Sequence, residues 1–205
     1  MTDTPIETTQ TQESFRHDSF VDYLEDLRDR DDRAALAAMR RWLARSAGDQ
    51  VEAMRVVQPQ LVLRPKHWTR DVREEVTHLI GALFALHHRE ISHKNEQLGD
   101  HFRELAHKIK APEKGKPYEP PSNVERRFMS LLACDADDFD VALRQAVMLL
   151  KSNDVPINWH LLISDAMGWK GNSAAWRDEV RKKWARRFWR KPPDDSKNNQ
   201  TDESE

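Results

Sequence analysis

A proline-rich segment just past the middle of the chain restricts most strongly what this sequence can fold into. Residues 111–122 read APEKGKPYEPPS and contain four prolines and one glycine. A proline has no amide hydrogen and its ring clashes with the preceding helical turn, so no helix crosses this segment. The sequence therefore predicts two folded units, with residues 111–121 as the linker between them.

Apolar residues on both sides of this linker recur at helical spacing. Phe20, Leu24 and Leu27 are four and three residues apart, and apolar stripes follow at 76–84 and 102–109. Four further stripes lie beyond the linker, at 128–132, 139–150, 157–166 and 176–188. This period predicts amphipathic helices, roughly four on each side of the linker. We therefore predict an all-α fold of two small helical bundles.

Composition agrees with this fold class and marks the ends of the folded region. The chain has only six glycines in 205 residues, whereas sandwiches and barrels need glycine in their many turns. Residues 1–14 and 192–205 are polar and acidic, which is typical of disordered tails. We predict an N-terminal bundle over 15–110 and a C-terminal, basic bundle over 122–191. Ser122 and Glu125 have the spacing of a capping box at the start of the second bundle.

The sequence carries no signal for export or for membrane insertion. The first dozen residues lack both a basic start and an apolar stretch, so we expect no signal peptide. The longest apolar run, residues 80–86, is far shorter than a membrane span. Cys134 is the only cysteine and cannot form an internal disulfide. We expect a cytoplasmic protein without membrane contact.

Positive charge is concentrated in the C-terminal third of the chain. The net charge is -2, yet residues 122–191 contain 13 bases against nine acids. Residues 176–191 alone contain eight bases and two acids. A basic surface of this kind favours an anionic partner such as nucleic acid. Bases in the last turn also complement the helix dipole, which is a structural alternative.

No catalytic or cofactor-binding constellation is present in the sequence. His78, His87, His88 and His93 lie close together, but their spacing matches no metalloprotease signature. Phosphate-binding glycine loops and nucleophile motifs are absent as well. We therefore expect no cofactor, no metal site and no enzymatic activity.

The seven tryptophans could stack on unpaired bases, but most lie on apolar stripes. We predict that these belong to the core. Trp189 lies off its stripe and is the best candidate for an exposed tryptophan. Asp137 and Asp138 lie between two predicted helices, where aspartates commonly cap the helix that follows.

Four stretches of the chain, taken together, resemble the CasB family, the small subunit of the type I-E CRISPR complex Cascade. The stretches are FVDYLEDLRDRDDRAALAAMRRWLA (20–44), IGALFALHHR (80–89), NVERRFMSLLACDADDFDVALRQAVMLLKS (123–152) and VPINWHLLISDAMGW (155–169). They cover most of residues 20–190 in the family's order. The combination of ERRF, LRQ…LLKS and the proline–tryptophan step carries the resemblance.

This resemblance implies a two-bundle helical protein without enzymatic activity. Its expected partners are crRNA and target DNA, the Cascade backbone subunits and large subunit, and a second copy of itself in a head-to-tail pair. It would stabilise the R-loop by facing the displaced strand and the guide–target hybrid. Because base pairing reads the sequence, contacts to the nucleic-acid backbone suffice for this task.

Carried over by position, the resemblance implies a set of nucleic-acid-binding bases. They are Arg41, Arg70, Arg73, Arg126, Arg127, Arg144, Lys151, Lys170 and Arg181. Arg126 and Arg127 are neighbours on a helix and cannot face the same way, so one of them can instead pair with an acid such as Asp138. Two other hypotheses stay open: a helical adaptor that binds an acidic protein, and a metal-dependent nuclease built on the histidines.

Overall fold

The computed structural model describes residues 19–44, 47–61, 69–89, 91–113, 118–171 and 173–190. Within these ranges the chain forms nine α-helices, a short 3-10 turn at Trp42–Ala44 and no strand. The helices are α1 (Ser19–Asp29), α2 (Arg33–Arg41), α3 (Ala47–Leu61), α4 (Arg70–Leu86), α5 (Leu98–Ile109), α6 (Ser122–Ala133), α7 (Phe139–Lys151), α8 (Trp159–Lys170) and α9 (Ala174–Phe188). The predicted all-α fold is confirmed. The predicted tails and residues 114–117 of the predicted linker lie outside the described residues.

The apolar core is continuous across the predicted boundary between the two bundles. Helix α5, which precedes the proline-rich segment, packs along α9, and α4 packs against α8. Phe102 and Phe128 meet across this boundary with ring centroids 4.9 Å apart, and Phe84 meets Trp159 at 5.6 Å. The described residues at 111–113 and 118–121 are not helical. The domain boundaries themselves stay a prediction.

At Gly99, helix α5 lies directly against the backbone of α9. A Cβ atom at this position would overlap the carbonyl oxygen of Trp184 on α9 and lie 2.9 Å from its carbonyl carbon. It would also lie 3.0 Å from the Cβ atom of Arg187. Backbone atoms cannot move aside as a flexible side chain can, so this helix pair requires glycine here.

Helix capping differs from the sequence prediction in two places. Helix α6 begins at Ser122 itself, with Pro121 as its N-cap and no side-chain capping bond, so the predicted box at Ser122 and Glu125 is wrong. A side-chain cap is found at the start of α5 instead, where the Asp100 carboxylate accepts the Gln97 amide N–H at 2.9 Å. Asp138 is the N-cap residue of α7, as predicted, but its side chain makes no capping bond.

Most of the tryptophans in the described residues are buried or exposed as the apolar stripes predict. Trp159, Trp169 and Trp184 are fully buried, and Trp169 stacks on Trp184 with ring centroids 5.2 Å apart. Trp189 is 42% exposed, as predicted. Trp176 was predicted to extend the core stripe of α9 but is 49% exposed, because the buried face of that helix begins only at Val180.

The segment between α7 and α8 pairs with the segment between α4 and α5. Ile157, predicted on a helical stripe, lies before α8 and forms an isolated parallel bridge with Ile91. The Ser92 amide donates to the Ile157 carbonyl at 3.0 Å, and the Asn158 side chain donates to the Lys94 carbonyl at 2.6 Å. These bonds fix residues 91–94 against the start of α8.

Two buried histidines make the stability of the fold dependent on pH. Burial lowers the pKa of both His78 and His101 to about 4. His78 is stacked on Trp42, and the ring Nε2 of His101 accepts the Asn158 amide N–H at 3.1 Å. In the unfolded chain both would titrate near their usual pKa of about 6.5. Between these values only the unfolded state binds the protons, so stability is full above pH 6.5 and is lost as the pH falls towards 4.

We expect the free energy of unfolding to be lower at pH 5 than at pH 7.5 by about 2 kcal/mol for each of these two histidines. Urea titrations at the two pH values measure the difference. The His78→Leu variant should lose about half of this pH dependence, because it keeps only the contribution of His101. Imidazole signals of both residues that titrate near pH 6.5 in the folded protein would contradict the assignment.

Candidate nucleic-acid interface

Most bases of the terminal helix α9 are used in contacts within the chain. Lys183 forms an ion pair with the buried carboxylate of Asp165. Arg187 and Arg190 approach the Asp100 carboxylate at 3.6 and 3.9 Å. The basic composition of this helix therefore serves in large part to attach α9 to α8 and α5.

Two of the predicted binding bases, Lys170 and Arg181, also hold helices together. The Lys170 side chain is 8% exposed, and its ammonium group lies 2.6 Å from Glu75 of α4 and 3.2 Å from Asp140 of α7. These carboxylates raise its pKa in spite of its burial, so it stays charged. Arg181 donates to the Cys134 carbonyl at 2.7 Å and lies over the Trp169 ring.

The three predicted bases of the N-terminal half lie in different environments. Arg41 pairs with Glu52 of α3 at 2.6 Å on the surface. Arg70 is exposed at the first position of α4. Arg73, one turn later, is half-buried, and its Nε atom has no hydrogen-bond partner among the described residues.

Arg126 and Arg127 are both exposed on α6. Within the described part of the chain neither forms an ion pair, so the alternative pairing with Asp138 is not found. Both side chains are available to an anionic partner.

Arg144 and Lys151 share one face of α7, because seven residues make two helical turns, about 10 Å. Both are exposed. Arg144 donates to the carbonyl of Leu43 at 3.2 Å and lines a cavity of about 430 Å³ whose walls include Trp42 and Met148. This cavity lies between α7 and the 3-10 turn that follows α2.

A second cavity, of about 450 Å³, lies further along the same face of α7. Its lining brings together the bases Arg40, Arg89 and Lys151 with His88 and one acid, Asp154. Among the described residues none of the three bases forms an ion pair. We call the two cavities together the α2–α7 groove, and the second of them its basic end.

The lowered pKa of His88 reflects its burial and the positive charge at the basic end. Burial lowers the pKa of His88 most. The hydrogen bond between its Nδ1 atom and the Ala85 carbonyl raises the pKa, and the charges of Arg40, Arg89 and Lys151 lower it further. The imidazole is therefore neutral at pH 7. The arrangement offers three cations and a neutral ring to a multiply charged anion such as a phosphate backbone.

Sequence reasoning missed Arg40 and Arg89 as members of this site. Arg40 directly precedes Arg41 in the sequence MRRWL, and adjacent residues on a helix point about 100° apart. In the structure Arg41 forms an ion pair with Glu52, whereas Arg40 lines the groove. Arg89 lies just beyond the end of α4 in a stretch with no periodicity to place its side chain.

The histidines are arranged differently from the cluster suggested by their spacing. His87 is buried, and its Nε2 atom lies 2.8 Å from the carbonyl oxygen of Val155. His93 instead lies near Glu25 of α1 and His160 of α8, with one ligand-type atom of each within 4.8 Å of the others. None of the helices that the structure describes is both long and apolar enough to span a bilayer.

Comparison with known proteins agrees with the resemblance seen in the sequence. The family model for CRISPR-associated protein Cse2 matches residues 35–189. A Thermus thermophilus protein described as CRISPR-associated protein Cse2 is 32% identical over 156 residues, which cover 76% of this chain and 79% of the relative.

Solved structures are similar over most of the chain. The crystal structure of CasB from Thermus thermophilus has a TM-score of 0.64 and 30% identity, with 83% of this chain and 95% of that chain covered. CasB from M. ruber has a TM-score of 0.64 and 29% identity, with 85% and 93% covered. The match by the family model, over most of the described helices, assigns this chain to the CRISPR-associated Cse2 family, also called CasB.

Proposed function

We propose that this chain is a non-enzymatic subunit of a CRISPR RNA-guided surveillance complex of the Cascade type, where it stabilises the R-loop. The α2–α7 groove binds the sugar–phosphate backbone of a nucleic-acid strand. The observation that carries this proposal is the convergence of Arg40, Arg89 and Lys151 on one cavity, beside a single acid. Such a site neutralises phosphates without reading bases.

Family membership supports the assembly part of the proposal. A chain in a structure described as a CRISPR RNA-guided surveillance complex shares this fold, with a TM-score of 0.61 and 23% identity, over 84% of this chain and 93% of that one. The partners we propose are crRNA and target DNA, the backbone and large subunits, and a second copy of this chain.

The shape of the groove favours a single strand over a duplex. The first cavity of the groove is walled by Trp42, Leu43 and Met148, next to Arg144, and lies against the same helix α7 that carries Lys151. Apolar walls beside cations accommodate the sugars and unstacked bases of a single strand. Arg126, Arg127 and Arg70 are further exposed bases that can contact other parts of the R-loop. Arg41, Lys170 and Arg181 are engaged in contacts within the fold, and Arg73 is half-buried.

The isolated protein should bind single-stranded DNA weakly and without sequence preference. Its affinity should fall with salt at a logarithmic slope of about -0.7 per neutralised phosphate, which gives about -2 to -4 for three to five contacts. Fluorescence anisotropy with labelled oligonucleotides of two unrelated sequences, over a series of salt concentrations, measures both properties.

An acidic polypeptide of matched length serves as the competing ligand in the same assay. A helical adaptor would bind that polypeptide and show little affinity for DNA. Incubation of the protein with DNA and either Mg²⁺ or Mn²⁺ tests the nuclease hypothesis, and we expect the DNA to remain intact. A strong preference for one of the two oligonucleotide sequences would contradict recognition through the backbone.

A further inference from the structure

A small polar cluster on the protein surface joins α1 to α8. Glu25 of α1 lies between two histidines: its Oε1 atom is 3.4 Å from His160 Nε2, and its Oε2 atom is 3.8 Å from His93 Nε2. Asp22, one turn earlier on α1, places its Oδ1 atom 3.8 Å from His160 Nε2. Two imidazoles and the Glu25 carboxylate thus place one ligand atom each within 4.8 Å of one another, and Asp22 lies beside His160.

The three side chains of the cluster differ in their exposure to solvent. The side chain of His160 is 7% exposed and that of Glu25 is 16% exposed, whereas His93 is 63% exposed. Oε1 of Glu25 is buried and accepts no hydrogen bond from any described residue. A buried carboxylate oxygen without a donor is costly unless a cation compensates it.

The backbone around the two histidines is held in place. His93 lies between Ser92, whose amide bonds to the Ile157 carbonyl, and Lys94, whose carbonyl accepts from the Asn158 side chain. Asn158 also caps α8 by accepting the Leu161 amide N–H at 3.0 Å, which fixes the turn that carries His160. These bonds hold the backbone that carries both histidines.

From this geometry we propose that Glu25, His93 and His160 form a binding site for a divalent transition-metal ion of the Zn²⁺ type, with the fourth position of the ion left to water. Imidazole nitrogen and carboxylate oxygen are ordinary zinc ligands. Ligand atoms on tetrahedral zinc lie about 3.3 Å apart, because each bond is about 2.0 Å long. The observed separations need only a small inward movement. Mg²⁺ and Ca²⁺, which prefer all-oxygen sites, should bind poorly.

The site would attach the first helix to the rest of the fold. Helix α1 precedes residues 35–189, the region matched by the family model, whereas His93 and His160 lie inside that region. An ion bound here would cross-link α1 to α8 and to the segment that precedes α5.

Calorimetric titration of Zn²⁺ into the metal-free, untagged full-length protein tests the proposal. We expect one Zn²⁺ per chain, and a melting temperature about 5–10 °C higher at free zinc of 100 times the Kd. His93→Ala and His160→Ala should each weaken binding at least tenfold. His93 is largely exposed, so its variant should fold normally.

His107→Ala and Cys134→Ser are the matched controls, since both residues are possible zinc ligands outside the cluster. Both should bind zinc like the unaltered protein. Unchanged affinity in His93→Ala and His160→Ala, no binding at all, or an equally weakened affinity in the control variants would overturn the site. Co²⁺ in place of Zn²⁺ gives a further measurement, because its visible spectrum distinguishes four-coordinate nitrogen–oxygen ligation from the hydrated ion.

Discussion

Gly99→Ala is expected to lower the free energy of unfolding by about 3 kcal/mol, through a single added methyl group. The new Cβ would overlap the Trp184 carbonyl oxygen and lie 3.0 Å from the Cβ atom of Arg187. Relief requires α5 and α9 to separate, which opens the packing of Phe102, Phe128 and Phe188 behind them. For a chain of this length the melting temperature should fall by about 6–12 °C.

Gly48→Ala provides the matched control for this prediction. Gly48 lies within α3, is exposed, and has no atom within 4 Å of a Cβ placed on it. Alanine is the better helix former by about 0.8–1.0 kcal/mol, so this variant should be slightly more stable than the unaltered protein. Thermal unfolding of the two variants side by side distinguishes a steric effect from a general effect of the substitution. A Gly99→Ala protein as stable as the Gly48→Ala protein would contradict the observed approach of α5 and α9.

The triple substitution Arg40→Ala, Arg89→Ala and Lys151→Ala should weaken binding of target DNA by the reconstituted complex roughly ten- to a hundredfold. Removing one base from its phosphate should cost about 0.5–1 kcal/mol, the energy of a screened surface ion pair, and 1.4 kcal/mol is a factor of ten. All three side chains are exposed, and none forms an ion pair among the described residues. Folding and assembly should therefore be nearly unchanged.

A second triple variant, Arg55→Ala, Lys110→Ala and Arg186→Ala, removes the same charge from exposed positions outside the groove. It separates a local effect from a general decrease of positive charge. Its target-DNA affinity should stay within about threefold of the unaltered complex, because distant exposed charges are largely screened at physiological salt. An equal decrease of affinity in the two variants would contradict a specific role for the groove.

Much of the fold follows from local features of the sequence. The stripes through Phe128, Leu143 and Trp184 predict their helices, because burying one face of a helix requires a period of about 3.6 residues. Helix α3 (Ala47–Leu61) has no comparable stripe and contains Pro59, so only its packing on α2 and α4 identifies it. The continuous core across residues 111–121 was likewise not predictable, since a non-helical segment does not determine whether its two neighbours touch.

The candidate site was less predictable than the fold, because charge in a sequence does not reveal which acid it meets. Lys151 and Lys170 are each the last residue of a helix, yet Lys170 is enclosed by Glu75 and Asp140, which lie 95 and 30 residues earlier in the sequence. Lys151 faces the groove instead. These long-range contacts determine which bases are accessible to a partner, and the spacing of residues in the sequence does not predict them.

The salt dependence of target binding tests the central claim most directly, because the slope counts the phosphates that the protein neutralises. The affinity of the reconstituted complex for target DNA is measured over a series of salt concentrations with the unaltered chain and with the Arg40, Arg89 and Lys151 triple variant. If each base in the α2–α7 groove contacts one phosphate of a single strand, the logarithmic slope should become shallower by about 2, which is 0.7 for each contact. An unchanged slope, with or without a change in affinity, would show that these three bases do not contact the nucleic-acid backbone.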